Sequence, residues 1–227
     1  MARTLDPEAH AIKRDAFLDA AQRLIQLKGY ESTSVQDVLH EVRTSKGAFY
    51  HYFDSKGALL NGVDERMVEA ALTAVSPIVE DPDLPADLKL RGVFDGIAAW
   101  KTARKDLLLA LTENWMSDDN AIVREKFRRS VVLRMTPLIA RIIRQGRDEG
   151  RFSASDPSHA AIVFVSMLLA LNQEAAELFV ARQADEITFD DVRRILAAYA
   201  EALERILGAP SGSMPLVDES VLHEWFG

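Results

Sequence analysis

The sequence predicts an all-α fold, and two patterns carry that prediction. Apolar residues recur at spacings of three and four through most of the chain, as they do on one face of a helix. The alternation of period two that indicates a strand is nowhere sustained, and short turn signals separate the helical stretches. The chain has 227 residues, of which 48% are hydrophobic, so it can bury a core in one large domain or two small ones.

Composition excludes several kinds of site. The absence of cysteine excludes disulfides, thiolate metal sites and a cysteine nucleophile, and it is typical of a reducing compartment. The first ten residues lack the apolar stretch of a signal peptide. The longest apolar run, 160–171, is shorter than the roughly 20 residues that span a bilayer. We therefore expect a soluble cytoplasmic protein without a membrane partner, a metal or a cofactor.

Three helices are predicted at the start of the chain. The first runs from Glu8 to Lys28 and is followed by Gly29, a residue type that commonly ends a helix in the left-handed conformation. The second begins at Thr33, which stands at capping-box spacing from a glutamine. Ser45 caps the third helix, which runs from Lys46 to Phe53.

The second and third of these helices meet at a tight connection, which is the pattern of a helix-turn-helix. Phe49 and Phe53 lie one turn apart and are expected to face inward. An aromatic helix buried in a core is the alternative interpretation, but these two phenylalanines already supply the core face. We predict that the opposite side enters a DNA groove. That outward side comprises Lys46, Gly47, Ala48, Tyr50, His51 and Tyr52.

The charge distribution bears on how DNA is bound. The net charge is −8, yet residues 1–56 contain eight basic and eight acidic residues and are neutral, so the whole excess lies downstream. Neutralisation of phosphates supplies much of the affinity for DNA. A neutral DNA-binding segment attached to an acidic body would bind weakly as a monomer, and dimerisation would remedy this.

The rest of the chain is predicted to be helical. The fourth helix runs from Lys56 toward Val75 and stops before Pro77, and a linker covers 80–85. Pro137 is expected to bend or split the helix predicted at about 120–145. The further helices are predicted at about 86–101, 105–116, 120–145, 157–182 and 190–207. In the tail, Asp218 is expected to cap a short amphipathic helix that docks on the body, either its own or the partner's.

Large and polar side chains in the middle of the chain suggest a ligand site. Polar groups inside apolar helices must be paired when they are buried, so they could orient a ligand in a mainly hydrophobic pocket. Exposure to solvent or bonding to the backbone is the alternative for each polar residue taken singly. The candidate ligand-binding residues are Phe94, Trp100, Glu113, Asn114, Trp115, Phe127, Met135, Met167 and Asn172.

A resemblance to a known family covers about fifty N-terminal residues and centres on 28–60, KGYESTSVQDVLHEVRTSKGAFYHYFDSKGALL. This stretch resembles the DNA-binding region of TetR/AcrR-type transcriptional regulators. The resemblance implies a homodimer that presents two helix-turn-helix units to successive major grooves of a near-palindromic operator. Two positions depart from the family pattern: Arg43 stands where the turn usually carries glycine, and Ala48 stands where threonine is frequent.

The resemblance also implies roles for individual residues. Lys46, Gly47 and Ala48 would lie nearest the base edges, and Tyr50 and Tyr52 would reach phosphates. The remaining expected DNA contacts are Thr33, Ser34, Arg43, Ser45, His51 and Lys56. The last two long helices would form a four-helix bundle across a two-fold axis. Its expected residues are Phe164, Leu168, Ala175, Phe179, Ile195, Tyr199 and Leu203.

Together these observations predict a helix-turn-helix domain over 1–56, a ligand-binding and dimerisation domain over 57–207, and a linker with a docking tail over 208–227. The expected function is a repressor that a small, largely hydrophobic effector releases from its operator. An enzyme is disfavoured because the sequence has no glycine-rich phosphate loop, no HExxH motif and no Glu-x-x-His pair. A helical adaptor that binds protein without reading DNA is the alternative function.

Overall fold

The computed structural model describes residues 7–116 and 121–227, apart from the side chains of 113–116 and 123. Within these ranges the chain forms ten α-helices and no strand, which confirms the predicted all-α fold. The helices are α1 (Pro7–Lys28), α2 (Val35–Val42), α3 (Lys46–Tyr50), α4 (Lys56–Glu80), α5 (Ala86–Thr102), α6 (Lys105–Met116), α7 (Ala121–Asp148), α8 (Pro157–Gln183), α9 (Phe189–Leu207) and α10 (Glu219–Phe226).

The helices group into two compact units. The first unit comprises Met1–Glu69 with Arg104–Phe127, and the second comprises Ala70–Ala103 with Arg128–Gly227. The helices α4 and α7 contribute residues to both units. The first unit therefore contains α6 in addition to the three N-terminal helices. The functional boundary after residue 56 stays a prediction.

The first unit is built around an aromatic core. Phe17 and Phe49 are fully buried, and their ring centroids lie 5.6 Å apart in an edge-to-face arrangement. Phe53 is also buried, with its ring centroid 5.8 Å from that of Phe49. The predicted inward orientation of Phe49 and Phe53 is confirmed. Buried aromatic pairs of this geometry add to the stabilisation that comes from area burial, and here they hold the five-residue α3 in place.

The start of α2 differs from the prediction by one residue. Ser34, not Thr33, is the N-cap, and the reciprocal capping partner is Asp37 instead of Gln36. The hydroxyl of Thr33 donates to the carbonyl oxygen of Gly29 at 2.8 Å, so it is engaged elsewhere. The third helix also ends earlier than predicted, at Tyr50.

Two prolines lie inside helices. The predicted end of α4 before Pro77 is wrong, because the helix continues to Glu80. Val75 and Val79, on either side of this proline, are 1% and 2% exposed, so packing offsets the lost backbone hydrogen bond. Pro137 likewise lies within a single continuous α7, so the helix is not split there, and the alternative, a bend at this proline, stays a prediction.

The second unit has its own core and includes the C-terminal tail. The rings of Phe94 on α5 and Phe164 on α8 stack with centroids 6.1 Å apart. In the tail, α10 packs on α8 and α9 of its own chain, in a cluster that buries Leu222 and Phe226 against Leu178 and Val192. The core of this unit is therefore completed by its last helix.

Candidate nucleic-acid interface

The exposed side of α3 carries the residues that the sequence singles out. Lys46, Gly47 and Tyr50 are exposed, with Tyr50 at 47% exposure, and Ala48 is half-buried. The Nζ of Lys46 lies 5.8 Å from the ring centroid of Tyr50. Ser45 caps the helix through an oxygen that accepts from the backbone N–H of Ala48 at 3.3 Å, which leaves its hydroxyl hydrogen free to donate. The exposed side of α3 thus presents the ammonium of Lys46, the exposed backbone of Gly47 and the hydroxyl groups of Ser45 and Tyr50.

The turn between α2 and α3 has the conformation that favours glycine. Arg43 ends α2 with φ 52° and ψ 56°, in the left-handed region. Its backbone N–H donates to the carbonyl oxygen of His40 at 3.2 Å, and its side chain is exposed. The chain therefore makes the usual tight turn with an arginine and gains an exposed cation beside α3.

At the amino end of α2, hydrogen bonds within the protein occupy the polar groups. The hydroxyl of Ser34 donates to Asp37 Oδ2 at 2.6 Å and accepts from the backbone N–H of Asp37. The hydrogen bond from Ser34 and the ammonium of Lys28, 2.9 Å away, hold the pKa of Asp37 well below its usual value. Thr33 is 3% exposed and its hydroxyl is bonded to Gly29, so the phosphate contact expected of Thr33 and the amino end of its helix stays a prediction.

The carboxyl end of α3 carries a cluster of polar aromatic rings. His51 is exposed, and Tyr52 is half-buried because its ring packs 5.5 Å from that of Phe17. The ring of His10, on α1, lies 4.6 Å from Tyr52 and 5.8 Å from His51. The sequence did not indicate His10, which the fold brings from α1 into contact with these rings.

Lys56, at the start of α4, is engaged by the protein itself. Its Nζ lies over the ring of Tyr30, 3.9 Å from the centroid, and burial lowers the pKa of this lysine. A phosphate contact by Lys56 stays a prediction, and it would have to share the ammonium with the tyrosine ring.

The predicted ligand residues fall in different places. Phe94 and Met135 are buried in the second unit, and Phe94 belongs to its core. Trp100, Met167 and Asn172 are half-buried in the second unit, whereas Phe127 belongs to the first. The side chains of Glu113, Asn114 and Trp115 lie outside the described residues. A groove of about 420 Å³ runs between α9 and residues 211–222, and none of these candidates lines it.

Asn172 has a partner that the sequence reasoning missed. Its Oδ1 accepts from Nζ of Lys101 at 2.5 Å, and burial lowers the pKa of this lysine to about 8. Lys101 lies seven residues after Phe94 and so occupies the same face of α5, a spacing that could have identified it.

The predicted dimer residues divide into two groups. Phe164 and Leu203 are fully buried in the second unit, so their assignment to a dimer interface is wrong. Leu168 and Tyr199 are half-buried. Ala175, Phe179 and Ile195 pack against the cluster that contains α10.

Along α8 a different face is left open. Ile162, Val163 and Val180 are 45%, 49% and 47% exposed. The most apolar 18-residue stretch of α8 has a mean hydropathy of 1.5 and only 17% of it is buried, so by length and composition α8 is apolar enough to cross a membrane. The core helix of a soluble protein passes the same test, and the observation establishes only that this chain leaves α8 largely uncovered.

Comparisons with known proteins converge on one family. The family model described as "Bacterial regulatory proteins, tetR family" matches residues 17–63, which include α2, α3 and the turn between them. YuxN of Bacillus subtilis, an uncharacterized HTH-type transcriptional regulator, is 40% identical over 73 residues, which cover 32% of this chain and 25% of YuxN. YfiR of the same organism is 26% identical over 158 residues, which cover 65% of this chain and 72% of YfiR. The chain thus spans about a quarter of the length of YuxN.

Solved structures extend the similarity of fold to the second unit. Reduced NemR of E. coli superposes with a TM-score of 0.54 at 20% identity, covering 87% of this chain and 99% of NemR. RolR in complex with resorcinol superposes with a TM-score of 0.61 at 19% identity, covering 90% of this chain and 92% of RolR. At these identities the similarity concerns the fold alone.

Proposed function

Because the chain belongs to the TetR family of bacterial regulatory proteins, we propose that it is a homodimeric transcriptional repressor that reads a near-palindromic operator. The observation that carries this proposal is the exposed side of α3. Lys46, Gly47 and Tyr50 are exposed there, while Phe49 between them is fully buried. A helix this short, held by aromatic packing from behind, serves to present its outer side to a partner.

The chemistry of that side suits duplex DNA. A lysine donates to the O6 and N7 acceptors of guanine in the major groove, and tyrosine hydroxyls donate to phosphate oxygens. Gly47 has open space around it, since a Cβ at this position would have Ser45 Oγ at 4.0 Å as its nearest neighbour. The fold therefore does not require glycine here. A residue without a side chain at this position instead allows DNA to approach the backbone of α3 closely.

Charge and the uncovered face of α8 support dimerisation. The residues up to 56 have no net charge, so one copy gains little from counterion release. A dimer makes twice as many phosphate contacts as a monomer, and it loses translational and rotational freedom on binding DNA only once. Ile162, Val163 and Val180 offer an apolar stripe for a second copy, which would replace the contacts first expected from Phe164 and Leu203.

Control by a small molecule is the remaining part of the proposal. RolR, which shares the fold, is described in complex with resorcinol. In this chain α4 contributes residues to both units, so an effector that binds the second unit acts on a helix that begins beside α3. The effector changes operator affinity only to the extent that it binds the two DNA-binding states differently. We place this repressor in the cytoplasm, where its operator lies.

The proposal is tested with an operator selected from random duplexes and fluorescence anisotropy at several salt concentrations. We expect Lys46→Ala to weaken binding by about tenfold or more, as loss of a base contact does. Gly47→Ala should weaken binding while leaving the fold intact, because the position is open and alanine favours a helix. Arg141→Ala, an exposed cation of α7, is the matched control and should bind normally.

The same assay separates the repressor from a helical adaptor. An adaptor would show no salt-dependent binding to any duplex, and its Lys46→Ala variant would behave like wild type. Absence of salt-dependent binding to any duplex would overturn the proposed function, whereas a Lys46→Ala variant that binds like wild type would remove Lys46 from the DNA contacts.

A further inference from the structure

The partly buried pair of Lys101 and Asn172 joins α5 to α8 in the second unit. The two helices also meet at Phe94 and Phe164, seven and eight residues earlier on their respective helices. At a rise of about 1.5 Å per residue, both contacts lie about two turns apart along helices that run in the same direction. The α5–α8 seam is therefore apolar at one end and ends in an ammonium and an amide at the other.

The charge of Lys101 is not balanced within the described part of the chain. Its ammonium bonds the neutral side chain of Asn172, and none of the described carboxylates lies within ion-pair distance of it. Buried charges in proteins are ordinarily paired. Burial is the cause that lowers the pKa of Lys101 to about 8, so the ammonium still carries its proton at pH 7.

Lys89, also on α5, is a buried lysine whose ammonium is compensated by other groups of the second unit. Its Nζ donates to the carbonyl oxygen of Val79 at 2.9 Å. It also lies near Glu149, whose pKa is lowered first by the backbone N–H of Ala86 and further by the nearby ammonium of Lys89. A carboxylate thus compensates the buried Lys89, whereas the half-buried Lys101 has only an amide as its partner.

Both members of the pair remain accessible to a solute. Lys101 and Asn172 keep intermediate exposure, and the amide nitrogen of Asn172 is a donor that the contact with Lys101 does not use. Half-buried Leu168 and Ala175 lie one turn away on either side of Asn172 along α8. An ammonium and an amide N–H offer two donors, which match the two oxygens and single charge of a carboxylate. A phosphate dianion would need more cations than this site provides.

We propose that Lys101 and Asn172 bind the carboxylate of a small effector whose apolar part lies against half-buried Leu168 and Ala175. The ammonium pairs with one carboxylate oxygen, and the amide nitrogen of Asn172 donates to the other. This inference rests on the proposed function, because it names the chemical class of the effector that controls the repressor.

The test compares carboxylates with neutral molecules of the same shape. Octanoate, benzoate and phenylacetate are titrated by calorimetry into full-length protein, each beside its amide. We expect at least one carboxylate to bind about tenfold or more tightly than its amide, as a hydrogen bond to a charged group contributes. Lys101→Met should remove this preference and keep the fold, since the apolar stem is retained. Arg141→Met removes an exposed charge in the same unit and should keep the preference.

A second readout distinguishes a charge contact from general hydrophobic binding. Affinity for the carboxylate should fall as the pH rises above about 8, where Lys101 loses its proton, while affinity for the amide stays constant. The inference is overturned if none of the carboxylates is preferred over its amide, or if Lys101→Met retains the preference. Operator binding without effector, measured on the same preparation, remains normal in that case, so failure of this inference is separable from failure of the proposed function.

Discussion

The ammonium of Lys56 lies 3.9 Å from the ring centroid of Tyr30 and donates to the carbonyl oxygen of Glu31 at 3.4 Å. These contacts fasten the start of α4 to the connection between α1 and α2. The position of the helix-turn-helix on α4 thus depends on a cation–π contact as well as on the aromatic core. A charge partly withdrawn from solvent over an aromatic face is more strongly attracted than one at an exposed site.

Replacing Tyr30 by leucine should test this contact. Tyr30→Leu keeps an apolar side chain and removes the aromatic face, so the free energy of unfolding should fall by about 1 kcal/mol. Tyr30→Phe retains the ring and is the matched control, expected to unfold at nearly the wild-type urea concentration. Equal stability of the leucine and phenylalanine variants would show that the ring contributes only bulk.

Arg43 provides a test of backbone strain at the turn. Its φ of 52° costs a non-glycine residue about 1–2 kcal/mol. Arg43→Gly should therefore raise the free energy of unfolding by about 1 kcal/mol in urea denaturation. Arg43→Ala keeps the strain and should give no gain. If alanine stabilises as much as glycine, the side chain rather than the backbone is the source of the cost.

The same two variants test the phosphate contact expected of Arg43. Both remove one cation, so both should reduce the slope of log affinity against log salt by about one unit if Arg43 contacts phosphate. Unchanged slopes for both variants would remove Arg43 from the set of DNA contacts.

The helix-turn-helix was predictable because its signals are local. Phe49 and Phe53 are one turn apart, and this spacing alone places both on the inner face of a short helix. The bounds of α6 also matched, and a turn signal at 117–120 follows this helix directly in the sequence. The one-residue error at Thr33 and Ser34 arose because both carry hydroxyls, and only the folded chain shows which hydroxyl is already bonded to Gly29.

The second unit was less predictable because packing decides its features. A helix that is apolar nearly all round does not reveal which side belongs to its own core, and Phe164 was therefore assigned to the wrong surface. The continuation of α4 through Pro77 depends on the burial of Val75 and Val79. Lys101 was missed because a lysine on a helix ordinarily extends its ammonium into solvent.

Asp64, on α4 in the first unit, should make stability depend on pH. It is 8% exposed, its Oδ2 has no hydrogen-bond partner, and burial, with the charge of Glu65 as a smaller cause, raises its pKa to about 7. The unfolded value is about 4. Folding thus favours the protonated form of Asp64. Its contribution to the free energy of unfolding is therefore most favourable below about pH 4, where the side chain is protonated in both states. The contribution declines as the pH rises to about 7 and is constant above that value.

Asp64→Asn should remove this decline. The variant should be more stable than wild type at pH 8 by roughly 2–4 kcal/mol, and the difference should shrink as the pH is lowered toward 4. Urea denaturation at pH 5, 6, 7 and 8 measures it, with Asp15→Asn on the exposed side of α1 as the control. A constant difference across this range would contradict the assignment.

The C-terminal tail should contribute to the stability of the second unit. Phe226 is 7% exposed in the cluster with Leu178 and Val192, and Trp225 Nε1 donates to Thr102 Oγ1 at 2.9 Å. The carboxylate of Glu204 accepts from the backbone N–H groups of residues 212 and 214, at 2.9 and 2.8 Å, which fixes the path of the segment leading to α10. These contacts make the tail part of the fold rather than an appendage.

Phe226→Ala should therefore lower the free energy of unfolding by about 3 kcal/mol, as truncation of a buried phenylalanine does. Ser220→Ala, on the exposed side of α10, should leave it within about 0.5 kcal/mol. Truncation after Pro210 should cost at least as much as Phe226→Ala, because it uncovers Leu178 and Val192 and removes both bonds to Glu204. A truncated chain that unfolds at the wild-type urea concentration would show that the second unit is complete without α10.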